Sequence, residues 1–135
     1  MDTKLKLYIP ALGFIMLAFG HPAHAQTGES VKFSQSMTEK YSQKTLLKNW
    51  ALSVCLAKVS KDTSTREDAN STASAYLEFG RQPIEAYDAL RKLVEQYANR
   101  KYGSSIKSEL NTMKCIDLFH SKELEKLTSK LSRNK

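Results

Sequence analysis

The sequence predicts an all-α fold, a small bundle of four to five helices held together by one disulfide. Apolar residues recur every three to four positions, and no segment shows strict alternation rich in Val, Ile and Thr. The chain has 135 residues, a length that fits one domain, and only 5 Gly and 3 Pro to interrupt helices. These observations favour a compact helical domain.

The first 25 residues have the layout of a cleavable secretory signal. Lys4 and Lys6 precede an apolar segment, 7–20. As a helix this segment would span about 21 Å, which is less than the ~30 Å hydrocarbon core of a bilayer. Small residues then lead to an expected cleavage site between Ala25 and Gln26. We therefore expect export, with an uncleaved membrane anchor as the alternative.

Cleavage would leave 19 basic and 13 acidic side chains, a formal charge of +6. Residues 26–37 are polar and predicted to be a flexible lead-in, and residues 38–135 are predicted to form the helical domain. Two cysteines in an exported chain usually pair, so we expect a disulfide between Cys55 and Cys115. Two buried free thiols are the alternative.

The first helix is predicted over Thr38–Val59, and its broad apolar stripe indicates that it lies at the centre of the core. The polar segment 60–65 (SKDTST) is expected to be a loop. Ser64 and Thr65 each precede an acidic residue by three positions, so either could cap the next helix. That second helix, Arg66–Phe79, is rich in small residues.

Gly80 is expected to stop the second helix, and Pro83 stands where a third helix begins. The apolar stripe of the third helix comprises Ile84, Tyr87, Leu90, Val94 and Tyr97. A turn at 102–105 ends it, and Ser121 is a plausible N-cap for a short final helix.

Cys115, Asp117 and His120 invite comparison with a Cys–His nucleophile. Cys115 and His120 are five positions apart, about 140° around a helix, so they would not face each other. No glycine-rich turn nearby could supply an oxyanion hole, and Cys115 has a partner for oxidation. The phosphate-binding, zinc, serine-hydrolase and redox motifs GxxxxGK[ST], HExxH, GxSxG and CxxC are also absent from the sequence. We therefore predict no enzyme.

No metal or cofactor site is expected, because one histidine in the exported chain and no acidic cluster do not provide convergent ligands. The longest basic run of the exported chain, at 100–101, is short, and acidic residues are interleaved with the basic ones. This pattern and export argue against nucleic acid. The positive charge is either a solvated surface or an attraction to an acidic protein partner.

The C-terminal run 113–124 (MKCIDLFHSKEL) resembles the signature of the type VI secretion amidase immunity proteins, fourth family. Three weaker segments fit as well: 46–58 (LLKNWALSVCLAK), 68–77 (DANSTASAYL) and 90–102 (LRKLVEQYANRKY). The resemblance covers about Tyr41–Leu131.

The resemblance implies a periplasmic helical immunity domain over residues 38–135, with no membrane association after signal cleavage. Its expected partner is a cognate peptidoglycan amidase effector, a Cys–His enzyme of the NlpC/P60 kind. The family forms homodimers, and two protomers with two effectors give a heterotetramer. A small disulfide-bonded periplasmic chaperone or stress protein is the alternative function.

In this family a loop enters the catalytic groove of the effector. By position we assign that role to the turn after the long helix, which comprises Lys101, Tyr102, Gly103, Ser104 and Ser105. Glycine permits close backbone approach, the Ser hydroxyls can form hydrogen bonds, and the Tyr ring can anchor an interface. The 60–65 loop is the second candidate.

Overall fold

The computed structural model describes residues 37–103, 105 and 107–133. Within these ranges the chain forms a 3₁₀ turn at Met37–Lys40 and five α-helices. They are α1 (Gln43–Val59), α2 (Thr63–Glu78), α3 (Ile84–Ala98), α4 (Asn111–His120) and α5 (Lys122–Leu131). The all-α prediction is confirmed. The predicted signal segment 1–25, its predicted cleavage site at Ala25 and Gln26, and residues 26–36 of the predicted lead-in lie outside the described residues.

Helix α1 lies at the centre of the bundle, as its broad apolar stripe predicts. It packs against each of the other four helices, and α2 packs mainly on α1. The core is formed by side chains from all five helices: Leu47, Trp50, Ala51 and Cys55 of α1, Ala73 of α2, Tyr87, Leu90, Val94 and Tyr97 of α3, Cys115 and Leu118 of α4, and Leu124 of α5. No helix of the described residues is long and apolar enough to cross a membrane.

The disulfide prediction is also confirmed. Cys55 of α1 and Cys115 of α4 are bonded, with their Cα atoms 5.6 Å apart. Both residues are 0% exposed, so the bond lies inside the core. It closes a separation of 60 positions that contains α2 and α3. The alternative of two free thiols is therefore wrong.

The starts of α1 and α2 differ from the predicted ones, because of their capping residues. The α1 helix begins at Gln43 rather than Thr38, since Ser42 is extended and its hydroxyl accepts the Thr45 backbone N–H at 3.1 Å. The α2 cap is Asp62, and the prediction of Ser64 or Thr65 is wrong.

The Asp62 carboxylate is the acceptor that starts α2. It accepts the Thr65 backbone N–H at 2.7 Å and the Ser64 hydroxyl at 2.9 Å. Because these bonds favour the charged form, led by the one from the Thr65 backbone, the pKa of Asp62 falls from 3.8 to about 2. The helix therefore starts at Thr63, three residues before the predicted start.

The ends of the remaining helices agree more closely with the sequence. Pro83 is the N-cap of α3, and the Ser121 hydroxyl caps α5 by accepting the Leu124 backbone N–H at 3.1 Å, as predicted. Ile84 is an exception in the apolar stripe of α3, since it is 55% exposed. It lies in the first turn, before the stripe reaches the core at Tyr87.

Gly80 follows the end of α2, but its backbone is not in the left-handed conformation that glycine usually adopts when it stops a helix. Backbone conformation therefore does not explain the glycine at this position. Space is the reason instead. A Cβ at Gly80 would overlap the hydroxyl of Tyr87. Tyr87 is 1% exposed and its ring packs edge-on against Trp50, with centroids 4.9 Å apart. The buried ring has little freedom to move away.

We predict that Gly80→Ala lowers the free energy of unfolding by about 1–3 kcal/mol, the usual cost of overpacking a well-packed core. Gly103→Ala is the matched control, because a Cβ at Gly103 has no atom within 4 Å and its backbone is not left-handed. Urea unfolding of both variants measures the difference. Equal midpoints for the two variants would contradict the steric argument.

Candidate functional site

The candidate site lies in the connection between α3 and α4. Helix α3 ends at Ala98 and α4 begins at Asn111, so the predicted turn falls inside this connection. Lys101, Gly103 and Ser105 are exposed and Tyr102 is half-buried. Ser104, which completes the predicted set, lies outside the described residues.

The side chain of Tyr102 ties the first part of the connection to α4. Its hydroxyl donates to Asp117 Oδ2 at 2.6 Å. This bond to the carboxylate favours the neutral phenol and raises the pKa of Tyr102 above its usual value. The Arg100 guanidinium lies 3.4 Å from the centroid of the Tyr97 ring of α3. The backbone that leads to Gly103 is therefore attached to both flanking helices.

The last part of the connection is attached to the link between α1 and α2. Glu109 Oε1 lies 3.1 Å from Lys61 Nζ, and Asn111 Nδ2 donates to the Val59 carbonyl at 3.2 Å. Between them, Leu110 has a φ of 50°, a left-handed conformation that is rare for leucine. The connection thus has fixed contacts at both of its ends.

These contacts bring the two candidate loops together at one end of the bundle. The segment 60–65 is not a six-residue loop as predicted, because α2 starts at Thr63 and only Ser60, Lys61 and Asp62 link the helices. An open groove of about 810 Å³ lies between Lys61 and residues 107–113. Glu109 also lines a smaller groove with Lys101 and Tyr102, so the first and second candidates contribute to one surface.

Gly103 has no structural requirement within this surface. A Cβ there would meet no atom within 4 Å, and the φ angle is not left-handed. The fold accommodates a Cβ at this position, so the glycine is not needed for packing and leaves an exposed stretch of backbone open to approach. This agrees with the expectation of close backbone approach, although that approach itself stays a prediction.

The geometry gives no support for a catalytic arrangement of Cys115, Asp117 and His120. Cys115 is in the disulfide and has no free thiol. Asp117 is bonded to Tyr102. His120 is exposed and its ring contacts Phe119 edge-on, with centroids 5.4 Å apart. The described residues also contain no group of three or more His, Cys, Asp or Glu that could hold a metal ion.

Comparison with known families identifies the fold and its role. The family model described as "Tai4: Type VI secretion system (T6SS), amidase immunity protein" matches residues 45–128. The match includes both cysteines, the α3–α4 connection and most of α1 and α5.

The chain belongs to the Tai4 family. The resemblance seen in residues 113–124 is thereby confirmed. A comparison with curated proteins gave no match.

Solved structures of type VI secretion proteins share this fold. A chain in the structure of the effector–immunity system Tae4/Tai4 from Salmonella typhimurium is 49% identical in sequence to this chain. The match has a TM-score of 0.69 and covers 72% of this chain and 96% of that chain. A chain in a structure of type VI-secreted toxins and self-resistance proteins from Serratia marcescens is 31% identical to this chain. The match has a TM-score of 0.68 and covers 77% of this chain and 87% of that chain. A chain in the Tae4–Tai4 complex from Enterobacter cloacae is 24% identical to this chain, with a TM-score of 0.62 over 71% of this chain and 98% of that chain. At this identity the likeness shows only that the fold is shared.

Three residues of this Tai4 surface were not identified by the sequence analysis. Asp117 was weighed only as a catalytic group, and the pairing of Lys61 with Glu109 was not foreseen. Each pair joins positions 15 or more apart in the chain, through side chains at the surface. Periodicity indicates which residues face the core but does not show which exposed charges meet.

Proposed function

We propose that the exported chain is a periplasmic immunity protein that occludes the active-site cleft of its cognate type VI secreted peptidoglycan amidase. Such an amidase would cut the peptide stems of the cell wall, so the inhibitor protects its own lineage from the toxin. Membership of the Tai4 family supports the partner class, and the N-terminal signal layout supports the compartment. The protein itself has no enzymatic role in this proposal.

The observation that carries the mechanism is the exposed stretch around Gly103, held by contacts at both ends of its connection. Inhibition of a cleft enzyme requires a segment that can enter a concave site. Lys101, Gly103 and Ser105 are exposed, and the backbone at Gly103 can approach another surface closely. A hydroxyl at Ser105 can then hydrogen-bond to polar groups in the cleft.

We propose further that the effector is an NlpC/P60-like Cys–His amidase. The immunity protein is a homodimer in this proposal and forms a heterotetramer with two effectors. The family match and the 49%-identical likeness to the Tae4/Tai4 effector–immunity system of Salmonella typhimurium support an effector of the amidase class. Light scattering of the free and bound protein tests the stoichiometry.

The experiment that tests the function mixes the oxidised mature chain, residues 26–135, with the amidase encoded beside its gene. Tae4 of Salmonella typhimurium is a second probe, because a chain in the structure of its effector–immunity system is 49% identical in sequence to this protein. We expect a stoichiometric complex and loss of peptidoglycan cleavage. Full cleavage by both amidases would contradict the proposal. Protection of unfolded clients at low pH, without a stable amidase complex, would favour the chaperone alternative.

Deletion of residues 1–25 tests the compartment. We expect the truncated chain to bind the amidase in vitro but to give no protection in cells, because it would stay away from the periplasm where the toxin acts. Fusion of an unrelated secretory signal is the matched control and is expected to restore protection. Protection by the truncated chain without a signal would contradict periplasmic action.

A further inference from the structure

A connected set of side chains holds Tyr102 in place before any partner binds. Asp117 of α4 accepts the Tyr102 hydroxyl at 2.6 Å, and the Arg100 guanidinium, two residues before Tyr102, lies against the Tyr97 ring. The Tyr97 hydroxyl donates to Glu123 Oε2 of α5 at 3.1 Å. Three helices thereby contribute to one arrangement, and Asp117 is the acceptor that fixes the Tyr102 hydroxyl.

We propose that Asp117 is a positioning residue, which orders the stretch 101–103 for entry into the effector cleft without contacting the effector itself. This inference rests on the proposed inhibitory role of that stretch. A binding segment that is ordered in advance loses less conformational freedom when the complex forms, so its affinity is higher. The α4 residues behind Asp117 provide a rigid base, because Cys115 and Leu118 are 0% exposed and Cys115 is bonded to α1.

The exposed position of Asp117 allows its positioning role to be tested without a large effect on the stability of the domain. The residue is exposed and lies inside α4, where alanine is a good helix former. An exposed hydrogen bond between side chains contributes little to folding. Removal of the carboxylate should therefore leave the thermal midpoint nearly unchanged while the loop becomes more mobile.

The test uses Asp117→Ala and Asp117→Asn, with Asp88→Ala as the matched control. Asp88 also is an exposed carboxylate of a helix, and it pairs with Arg91 at 2.5 Å. We expect Asp117→Ala to weaken amidase binding roughly tenfold, in line with the loss of pre-ordering at an interface segment. Asp117→Asn, which keeps an acceptor oxygen, should recover most of the affinity. Asp88→Ala should bind like the wild type.

Two further measurements distinguish positioning from direct contact. In the free protein, hydrogen exchange of the 101–103 amides should be faster in Asp117→Ala than in the wild type, with unchanged exchange in the core of α1. In a Tyr102→Phe background, Asp117→Ala should cause no additional loss of affinity. Additive losses, unchanged exchange in the free protein, or unchanged affinity of Asp117→Ala would each overturn the inference. A wild-type chain that fails to bind the amidase contradicts the proposed function instead, while the exchange experiment still tests the ordering.

Discussion

Loss of the Cys55–Cys115 disulfide is expected to lower the free energy of unfolding by about 4 kcal/mol. The bond closes 60 positions of chain, and release of a loop of that length raises the entropy of the unfolded state by this order. Small domains are typically stable by 5–15 kcal/mol, so the loss is a large part of the total. The thermal midpoint should fall by roughly 15–30 °C, by the usual scaling for a domain of about 100 residues.

Two forms of the protein separate the cross-link from core packing. The reduced wild type keeps both sulfur atoms and loses only the cross-link, whereas Cys55→Ala/Cys115→Ala also leaves space in a core where both residues are 0% exposed. Both should unfold at lower urea than the oxidised wild type, with the alanine variant the less stable of the two. Coincident unfolding curves for the oxidised and reduced wild type would contradict the stabilising role.

Gly103→Trp is expected to weaken inhibition of the amidase roughly 100-fold, a loss of about 2.7 kcal/mol in binding. An indole at this position would occupy the space that the exposed backbone leaves for close approach. The fold should be unaffected, because a side chain at Gly103 starts in open space. A titration of amidase activity against the variant measures the loss, and a thermal melt checks that the domain is intact.

Two controls make the Gly103 result specific. Gly103→Ala adds only a methyl group and should keep most of the inhibition. Ser74→Trp places the same indole on an exposed position of α2 and should inhibit like the wild type. Full inhibition by Gly103→Trp would show that this stretch does not enter the cleft. The 60–62 link would then be the next candidate, since it shares the surface through the contact of Lys61 with Glu109.

Local sequence signals predicted the fold well but placed the helix starts less well. Ser121 is the predicted cap of α5, with few competing residues nearby. In the 60–65 segment, Asp62, Ser64 and Thr65 all have side chains that can cap, and the structure selects Asp62. Several neighbouring side chains can cap a helix, so residue type alone does not select one of them.

Gly80 and Ile84 also show which features the sequence predicts and which depend on the packing of neighbouring helices. The sequence indicated that Gly80 ends α2, but the overlap of any Cβ with Tyr87 is visible only once α3 is packed in place. In the same way Ile84 belongs to the apolar spacing of α3 and is nevertheless 55% exposed. The spacing of apolar residues along one helix does not show which of them a neighbouring helix covers.

The amino-acid sequence alone determined the helical class, the central position of α1, the pairing of Cys55 with Cys115 and the family resemblance in residues 113–124. These features depend on local periodicity, on the number of cysteines and on a contiguous motif. Only the tertiary structure decided that Tyr102 rests on Asp117 and that Lys61 meets Glu109. Three of these four residues lie in the links between helices, far from their partners in the chain, and the packing of the helices brings the links together.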